Sequence, residues 1–242
     1  NNLKHDFKGD IIYLFKKYKY PIIIIILFTL FFIYSKIRSS DSYKGYGKLK
    51  IVVTNYDSDY GIRRCLKSIK NQKYKYYDVV VVDDCSTDGT REILLKRCKH
   101  LINDLIFHDK NLGKGAAIKS AQKKINGDLV IIQDADLEYD PKEYPNVIGP
   151  IINGKADIVY GSRFQGGQPH RVVYFWHRVG NGFLTIFSNL FTDLNLTDME
   201  TCYKMFRRST LEKFDLQSNR FGFEPEFTAK IAKANLRVYE MP

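Results

Sequence analysis

"GDLVIIQDADLEYDP", Gly127–Pro141, runs the apolar residues Leu129–Ile132 almost directly into Asp134, Asp136, Glu138 and Asp140. A short apolar run bounded by turn residues reads as a strand buried on both faces. Carboxylates crowded at the end of such a strand repel one another, and a buried carboxylate without a partner is costly. The chain as a whole is basic, with a formal net charge of +11, so the cluster does not reflect general acidity. A cation is expected at this strand end. In an extended chain, residues i, i+2 and i+4 share one side, so Asp134, Asp136 and Glu138 can converge. Hard oxygen ligands of this kind suit Mg2+ or Mn2+, which keep positions open for substrate phosphates. Asp140 suits a different role, capping the helix that opens at Pro141.

Working outward, the same alternation of pattern repeats. "KLKIVVTNY" (48–56) reads as a buried strand, and "GIRRCLKSIKNQ" (61–72) as a helix with Ile62, Leu66 and Ile69 on one face. "YDVVVVDD", "DLIFHDK" and "ADIVYGS" read as further strands, and "STDGTREILLKRCKHL", "KGAAIKSAQKKI" and "PKEYPNVIGPII" as helices between them. Strands alternating with helices of this length predict an α/β fold with a mostly parallel, doubly wound sheet. Ligands of such sheets bind at the carboxyl ends of the strands. Asp83 and Asp84, then Asp134 and Asp136, then Gly161, Ser162 and Arg163 all fall at predicted strand ends, on one rim if the strands are neighbours.

A chain of 242 residues has ample core, and 44% hydrophobic with 27% charged residues is ordinary for a globular protein. The basic excess raises nucleic acid as a partner, but the lysines are dispersed and no zinc-finger spacing, basic zipper or RNA-binding signature occurs, so no nucleic acid is expected. Anionic lipid or a phosphorylated substrate fits the charge. Cys65, Cys85, Cys98 and Cys202 form no Cys-x-x-Cys pair and read as reduced, mostly buried thiols. Residues 1–20 form a basic tail and 39–47 a turn-rich linker. Between them, 21–38 carries "PIIIIILFTLFFIYSKIR", with Tyr and Lys at both ends, and predicts a single transmembrane anchor. It has no small-residue cleavage site and no polar face, against a signal peptide or a core helix. The flanking lysines and arginines balance and do not orient it.

Two further motifs border the predicted rim. In "VVVVDDCSTDGT", Ser86, Thr87 or Asp88 can cap the following helix, while one of Asp83 and Asp84 can accept from a ribose or base N–H. "DKNLGKGAAIKSA" has Gly113 and Gly115 before a helix but lacks both the dinucleotide and the phosphate-loop fingerprints. It is either a tight turn or a backbone approach to a ligand, with Lys114 as a phosphate contact in the second case.

These stretches, with "DIVYGSRF" and "LTDMETCYKMFRRSTL", resemble in order the family 2 glycosyltransferases of the GT-A nucleotide-sugar fold, and more narrowly the polyprenyl-phosphate (dolichyl-phosphate) sugar synthases. The resemblance runs from Lys48 to Pro242. It implies that Asp83 and Asp84 bind the nucleoside, that Asp134 and Asp136 form a metal-binding Asp-x-Asp, and that Glu138 is a third ligand. It implies that Arg163 and Arg178 meet the acceptor phosphate, and that "DMETCYKMF" closes over donor and acceptor with Asp198, Glu200 and Lys204 as its polar groups. The related first strand ends in Pro-Ala-Tyr-Asn-Glu, whereas this one reads "VVTNYDSD", so Tyr56 and Asp57 take the nucleoside-holding place. Residues 48–163 would then be the nucleotide-sugar half and 164–242 the acceptor half, with relatives continuing beyond it.

The activity so implied is inverting, metal-dependent transfer of a hexose from a UDP- or GDP-sugar to a polyprenyl or dolichyl phosphate, with membrane lipids as neighbours. Asp136 and Arg163 would be catalytic, and Lys114 would join the donor site. A hydroxyl acceptor would instead require a carboxylate base, for which Glu200 is the candidate. A non-catalytic anchored binding module is the rival from another class. The catalytic domain is expected on the cytoplasmic side, where nucleotide sugars are made, although Asn195-Leu196-Thr197 forms a glycosylation acceptor pattern. Finally, Phe175, Val179, Ile186, Phe187, Leu190 and Leu194 recur at helical spacing beside Arg171, His177 and Arg178. Periodicity alone leaves this helix either in the core or at a membrane surface.

Overall fold

A computed structural model describes residues 47–166 and 172–242, together with Thr29. Strand β1 (Leu49–Asn55) is buried along its whole length. It is an interior strand, third in a seven-stranded sheet of order β3-β2-β1-β4-β6-β5-β7. Its neighbours are β2 (Tyr77–Asp83) and β4 (Leu129–Asp134), both parallel to it. β3 (Asp104–Phe107) extends the parallel block at one edge. The runs of Val and Ile in these strands are buried on both sides, the pattern that parallel sheets require. Lys50 is the exception in β1; it is wholly buried, and its Nζ lies 2.6 Å from Asp104 of the edge strand.

Between these strands, α1 (Asp59–Asn71) buries the predicted Ile62, Leu66 and Ile69 along with Cys65. α2 (Thr90–Ile93) continues into a wider turn over Leu94–Cys98 and a tight one over Lys99–Leu101. α3 (Lys114–Gln122) packs its small face, Ala116, Ala117 and Ala121, against β1 and β2. α4 (Tyr144–Ile152) follows a short turn that Asp140 caps by accepting from the Lys142 N–H, as its sequence position suggests.

β5 (Ile158–Gly161) does not pair with β4. β6 (Lys204–Arg207) lies between them, antiparallel to both, and β7 (Val238–Met241) pairs parallel with β5. The sheet is therefore mixed, with one reversed strand that the sequence reading missed. Strands from both predicted halves share this sheet, and Tyr46–Pro242 form one compact unit. α5 (Phe175–Thr192), α6 (Arg208–Leu211) and α7 (Phe223–Lys233) complete the unit, with α5 packed on α7.

The register decides where the chemistry falls. Asn55 pairs with Asp83 across one side of β1, and Thr54 with Asp134 across the other. The acidic strand ends thus lie level on one rim, three adjacent strands wide. Cys65, Cys98 and Cys202 are buried, Cys85 is partly exposed, and all four are free thiols. Apart from Thr29, the predicted tail, anchor and linker up to residue 46 lie outside the described residues. Arg171 does too. Among the described residues no helix is long and apolar enough to cross a membrane.

Candidate active site

A cavity of about 390 Å³ opens at this rim, and Asn55, Tyr56, Asp84, Lys114, Asp134 and Asp136 all border it. Asp134, the last residue of β4, accepts from Thr54 Oγ1 at 2.5 Å and from Lys114 Nζ at 2.8 Å. Burial opposes its charge, but the Lys114 ammonium more than offsets this and holds its carboxyl below the usual range. Asp136 faces the cavity and, among the described residues, accepts only from the Glu138 N–H, at 3.0 Å. Desolvation and then the Asp134 carboxylate push its pKa up, the repulsion that the sequence led one to expect.

Glu138 corrects the expectation of three converging acids. β4 ends at Asp134, and Leu137 takes a left-handed conformation with φ of 65°, so the alternation of an extended chain does not continue. Glu138 turns instead to Arg163, 3.1 Å away. Among the described residues no group of three or more His, Cys, Asp or Glu side chains is placed to hold a metal. Asp134 and Asp136 remain as a pair of hard oxygen donors at a cavity mouth. That set fits Mg2+ or Mn2+, which take one or two carboxylates and complete their shell with water and substrate phosphate.

Lys114 holds this pair in check from the first turn of α3. Its Nζ lies 2.7 Å from Glu224 as well as 2.8 Å from Asp134. Burial opposes its charge, yet the carboxylates around it hold its pKa well above the ordinary lysine value. Glu224, on α7, is buried, and its second oxygen has no hydrogen-bond partner among the described residues. Sequence reasoning missed Glu224. The available signal was a Glu and a Thr, Glu224 and Thr228, at i, i+4 beside the core stripe Phe223, Phe227 and Ile231. Because Glu224 draws Lys114 away from Asp134, Glu224→Gln leaves the lysine wholly to Asp134. Mn2+ affinity, read by electron paramagnetic resonance, should fall on the order of tenfold, the size of one lost charge-assisted contact.

The acidic pair at the end of β2 divides its labour, correcting the expectation that both face a ligand. Asp83 is wholly buried and accepts from Arg91 Nε at 3.0 Å, from Asn55 Nδ2 at 3.2 Å and from Ser86. Asp84 borders the cavity and gathers the loop before α3, accepting from the N–H groups of Leu112 at 2.9 Å and Gly113 at 2.6 Å. His108 Nδ1 lies 2.6 Å from the same carboxylate, and its Nε2 lies 2.8 Å from Ser120 Oγ. Gly113 and Gly115 have a reason that neither sequence alternative named. A Cβ on Gly115 would lie 2.3 Å from the Ser218 carbonyl oxygen, and one on Gly113, at φ +92°, 2.8 Å from Arg220 Cα. The glycines let the loop press against Ser218–Arg220, which brings Arg220 and Phe221 to the cavity wall. Tyr56 is 53% exposed on the same wall, while Asp57 points away from it and accepts from the Thr87 N–H at 2.7 Å.

Beyond Glu138 lies a second cluster. Arg163 forms two parallel bonds to Asp198, Nε to Oδ2 at 2.8 Å and Nη2 to Oδ1 at 3.0 Å. Burial works against its charge, but Asp198 foremost drives its pKa above the ordinary arginine value. The Arg163 and Arg178 guanidinium carbons lie 5.5 and 4.3 Å from the Phe164 ring centroid. Arg178 is exposed and has no carboxylate partner among the described residues. Lys204 corrects the expectation of an acceptor contact. It is the first residue of β6, wholly buried, with Nζ donating to the Met199 and Thr201 carbonyls, and burial lowers its pKa. Of "DMETCYKMF", Lys204–Phe206 accordingly lie in β6, while Asp198–Tyr203 form the loop that precedes it. Glu200 is half-buried and makes no hydrogen bond among the described residues; burial, then Glu224, raises its pKa.

The glycosyl transferase family 2 domain matches residues 50–215, more than half of the chain. The low-salt glycan biosynthesis hexosyltransferase Agl6 of Haloferax volcanii is 29% identical over 197 residues, covering 80% of this chain and 46% of the relative. The UDP-N-acetylglucosamine–dolichyl-phosphate N-acetylglucosaminyltransferase of Methanococcus voltae is 26% identical over 210 residues, 79% of this chain and 83% of the relative. Among solved structures, the mannosyltransferase PcManGT from Pyrobaculum calidifontis, in complex with GDP-Man and Mn2+, superposes with a TM-score of 0.61 at 21% identity. That match covers 91% of this chain and 66% of the neighbour, and it shows a shared fold, GT-A. The chain thus spans about half of the first relative and two thirds of the structural neighbour. On its domain match and on the acidic rim of its sheet, the chain belongs to glycosyl transferase family 2.

Proposed function

We propose that this chain transfers a hexose, with inversion, from a UDP- or GDP-sugar to a polyprenyl or dolichyl phosphate at the cytoplasmic face of a membrane. The observation that carries the reading is the pair Asp134 and Asp136 at the mouth of a cavity that also holds Lys114 and Asp84. The Methanococcus relative is named for a UDP-sugar donor and a dolichyl-phosphate acceptor, and the structural neighbour holds GDP-Man and Mn2+, which supports donor, acceptor class and metal.

Asp134 and Asp136 would hold Mg2+ or Mn2+, which when bound supplies the Lewis acidity that neutralises a departing diphosphate. Lys114, released from Asp134, would turn its ammonium to the same phosphates, with Glu224 keeping it in place. Asp84 and the pinned amides of Leu112 and Gly113 would border the nucleoside, and Tyr56 would flank it. Arg178, without a carboxylate partner among the described residues, would meet an acceptor phosphate, with Arg163 against the same Phe164 ring. A phosphate monoester is already ionised at neutral pH, so no side chain need remove a proton, and positioning carries the acceptor's contribution. A radiolabelled-sugar assay tests the reading: label should enter the lipid fraction only when polyprenyl phosphate is supplied.

Glu200 favours a second reading, a hydroxyl acceptor. A half-buried carboxylate with a raised pKa and, among the described residues, no hydrogen-bond partner suits a general base. If Glu200 is a base, it must be ionised, so the rate falls as pH drops through its raised pKa, and Glu200→Gln costs ~100-fold or more. The phosphate reading predicts that Glu200→Gln changes the rate by no more than a few-fold and leaves the acid limb of the pH profile in place. Measuring both profiles separates the two.

A further inference from the structure

Helix α5 is built inside out. Its polar seam packs on the protein: Asn181 and Thr185 are its buried residues. Asn181 Nδ2 donates to Asp198 at 2.9 Å, and Thr185 Oγ1 accepts from the Met199 N–H at 3.2 Å. Asn189 exchanges two bonds with the backbone of Leu196, at 2.8 and 3.1 Å. These bonds fix the rotation of the helix about its axis. The opposite face is left outward, with Trp176 76%, Phe183 69%, Ile186 71%, Leu190 76% and Phe191 72% exposed. Phe183, Phe187 and Phe191 form a contacting aromatic row along it. A continuous face of this size marks an interaction surface.

The charge pattern indicates what covers it. From Phe164 to Thr192 the sequence contains no Asp or Glu, and His177 and Arg178 stand exposed in the first turn of the helix, while Asp193 caps its opposite end. A protein partner would be expected to meet matching acid and base along the face, whereas a face with no acid along its length and a cationic first turn complements an anionic bilayer. Tyr174 and Trp176 stand at the basic end, 77% and 76% exposed, where amphipathic rings suit the headgroup level.

We propose that α5 seats the protein on a bilayer containing anionic lipid, with the Phe183-Phe187-Phe191 row at the acyl boundary. The inference does not depend on which donor or acceptor the cavity takes. It places Arg178, on the same helix, at the headgroup plane.

Trp176 is the only tryptophan in the chain, so its fluorescence reports on α5 alone. The full chain is mixed with vesicles of phosphatidylcholine and phosphatidylglycerol, with and without brominated acyl chains. Trp176 emission should shift to the blue, be quenched by the brominated lipid and become shielded from aqueous iodide. The quenching should be lost in Phe183→Glu/Phe187→Glu, on the order of a hundredfold weaker seating, with circular dichroism unchanged. Three results overturn the inference. Trp176 of vesicle-bound wild-type protein could remain open to iodide and untouched by bromine. Its emission could be blue-shifted without lipid in a concentration-dependent way, which would assign the face to a second copy. Or it could be so shifted at every concentration, which would assign the face to another part of this chain.

Discussion

Asp136→Asn lowers sugar transfer by ~10³-fold or more while leaving the fold intact. The two halves of this expectation have separate causes. Asp136 is exposed at the cavity mouth, and its one hydrogen bond among the described residues is from the Glu138 N–H, which an Asn oxygen can still accept. Its removal therefore costs little stability, and it relieves the repulsion from Asp134 that raises its pKa. What is lost is half of the paired negative charge that would hold a divalent ion. Mn2+ affinity should fall with the rate, and both are measured on the same preparation, by calorimetry with a panel of UDP- and GDP-sugars and by product formation. The non-catalytic reading makes the opposite prediction, that Asp136→Asn leaves function unchanged. An unaltered Mn2+ isotherm with unaltered turnover would remove the metal from Asp136 and, with it, the proposed chemistry.

Arg163→Met should destabilise the fold by about 3–5 kcal/mol, because it leaves Asp198 as an uncompensated buried charge. Asp198 has no solvent exposure. Its carboxylate accepts from the Arg163 N–H at 3.1 Å, from the guanidinium and from Asn181 of α5, and its own N–H donates to Glu240 at 3.0 Å. The Asp198 carboxylate thus ties the end of β5 to α5, and its backbone N–H adds the edge strand β7. Removing the guanidinium leaves two neutral donors facing an anion in a dry site, which they cannot neutralise. The midpoint of thermal unfolding should drop on the order of 10 °C. The double variant Arg163→Met/Asp198→Asn should recover much of that loss, since it removes the stranded charge, yet it should not recover acceptor KM if the arginine corner positions the acceptor. Full recovery of both would reduce the cluster to a structural tie.

Much of the parallel core was legible because its signals are local. Runs such as Val79–Val82 and Leu129–Ile132 are apolar without alternation, and only strands covered on both faces read that way. The one-sided stripe of α1 and the Asp140 cap are equally local. Glu138 shows where the same logic fails. Alternation holds only while the chain stays extended, and Leu137 in a left-handed conformation ends that within three residues of β4. Lys204 and β6 escaped because a four-residue strand with charged ends carries almost no periodic signal. Its place between β4 and β5 is set by sheet pairing across more than seventy residues of sequence.

The alternation of strands and helices, the acidic strand ends and the glycines before α3 are local properties, since each follows from residue type and short-range periodicity. Long-range packing set Asn55 beside Asp83 and Thr54 beside Asp134 on one level rim, made Glu224 share Lys114 with Asp134, and spent Asp83 and Lys204 inside the fold. It also decided that the amphipathic helix α5 turns its apolar face outward. A helical stripe specifies that one face differs from the other, but which face meets the protein depends on partners far along the chain, here the hydrogen bonds of Asn181, Thr185 and Asn189 to residues 196–199.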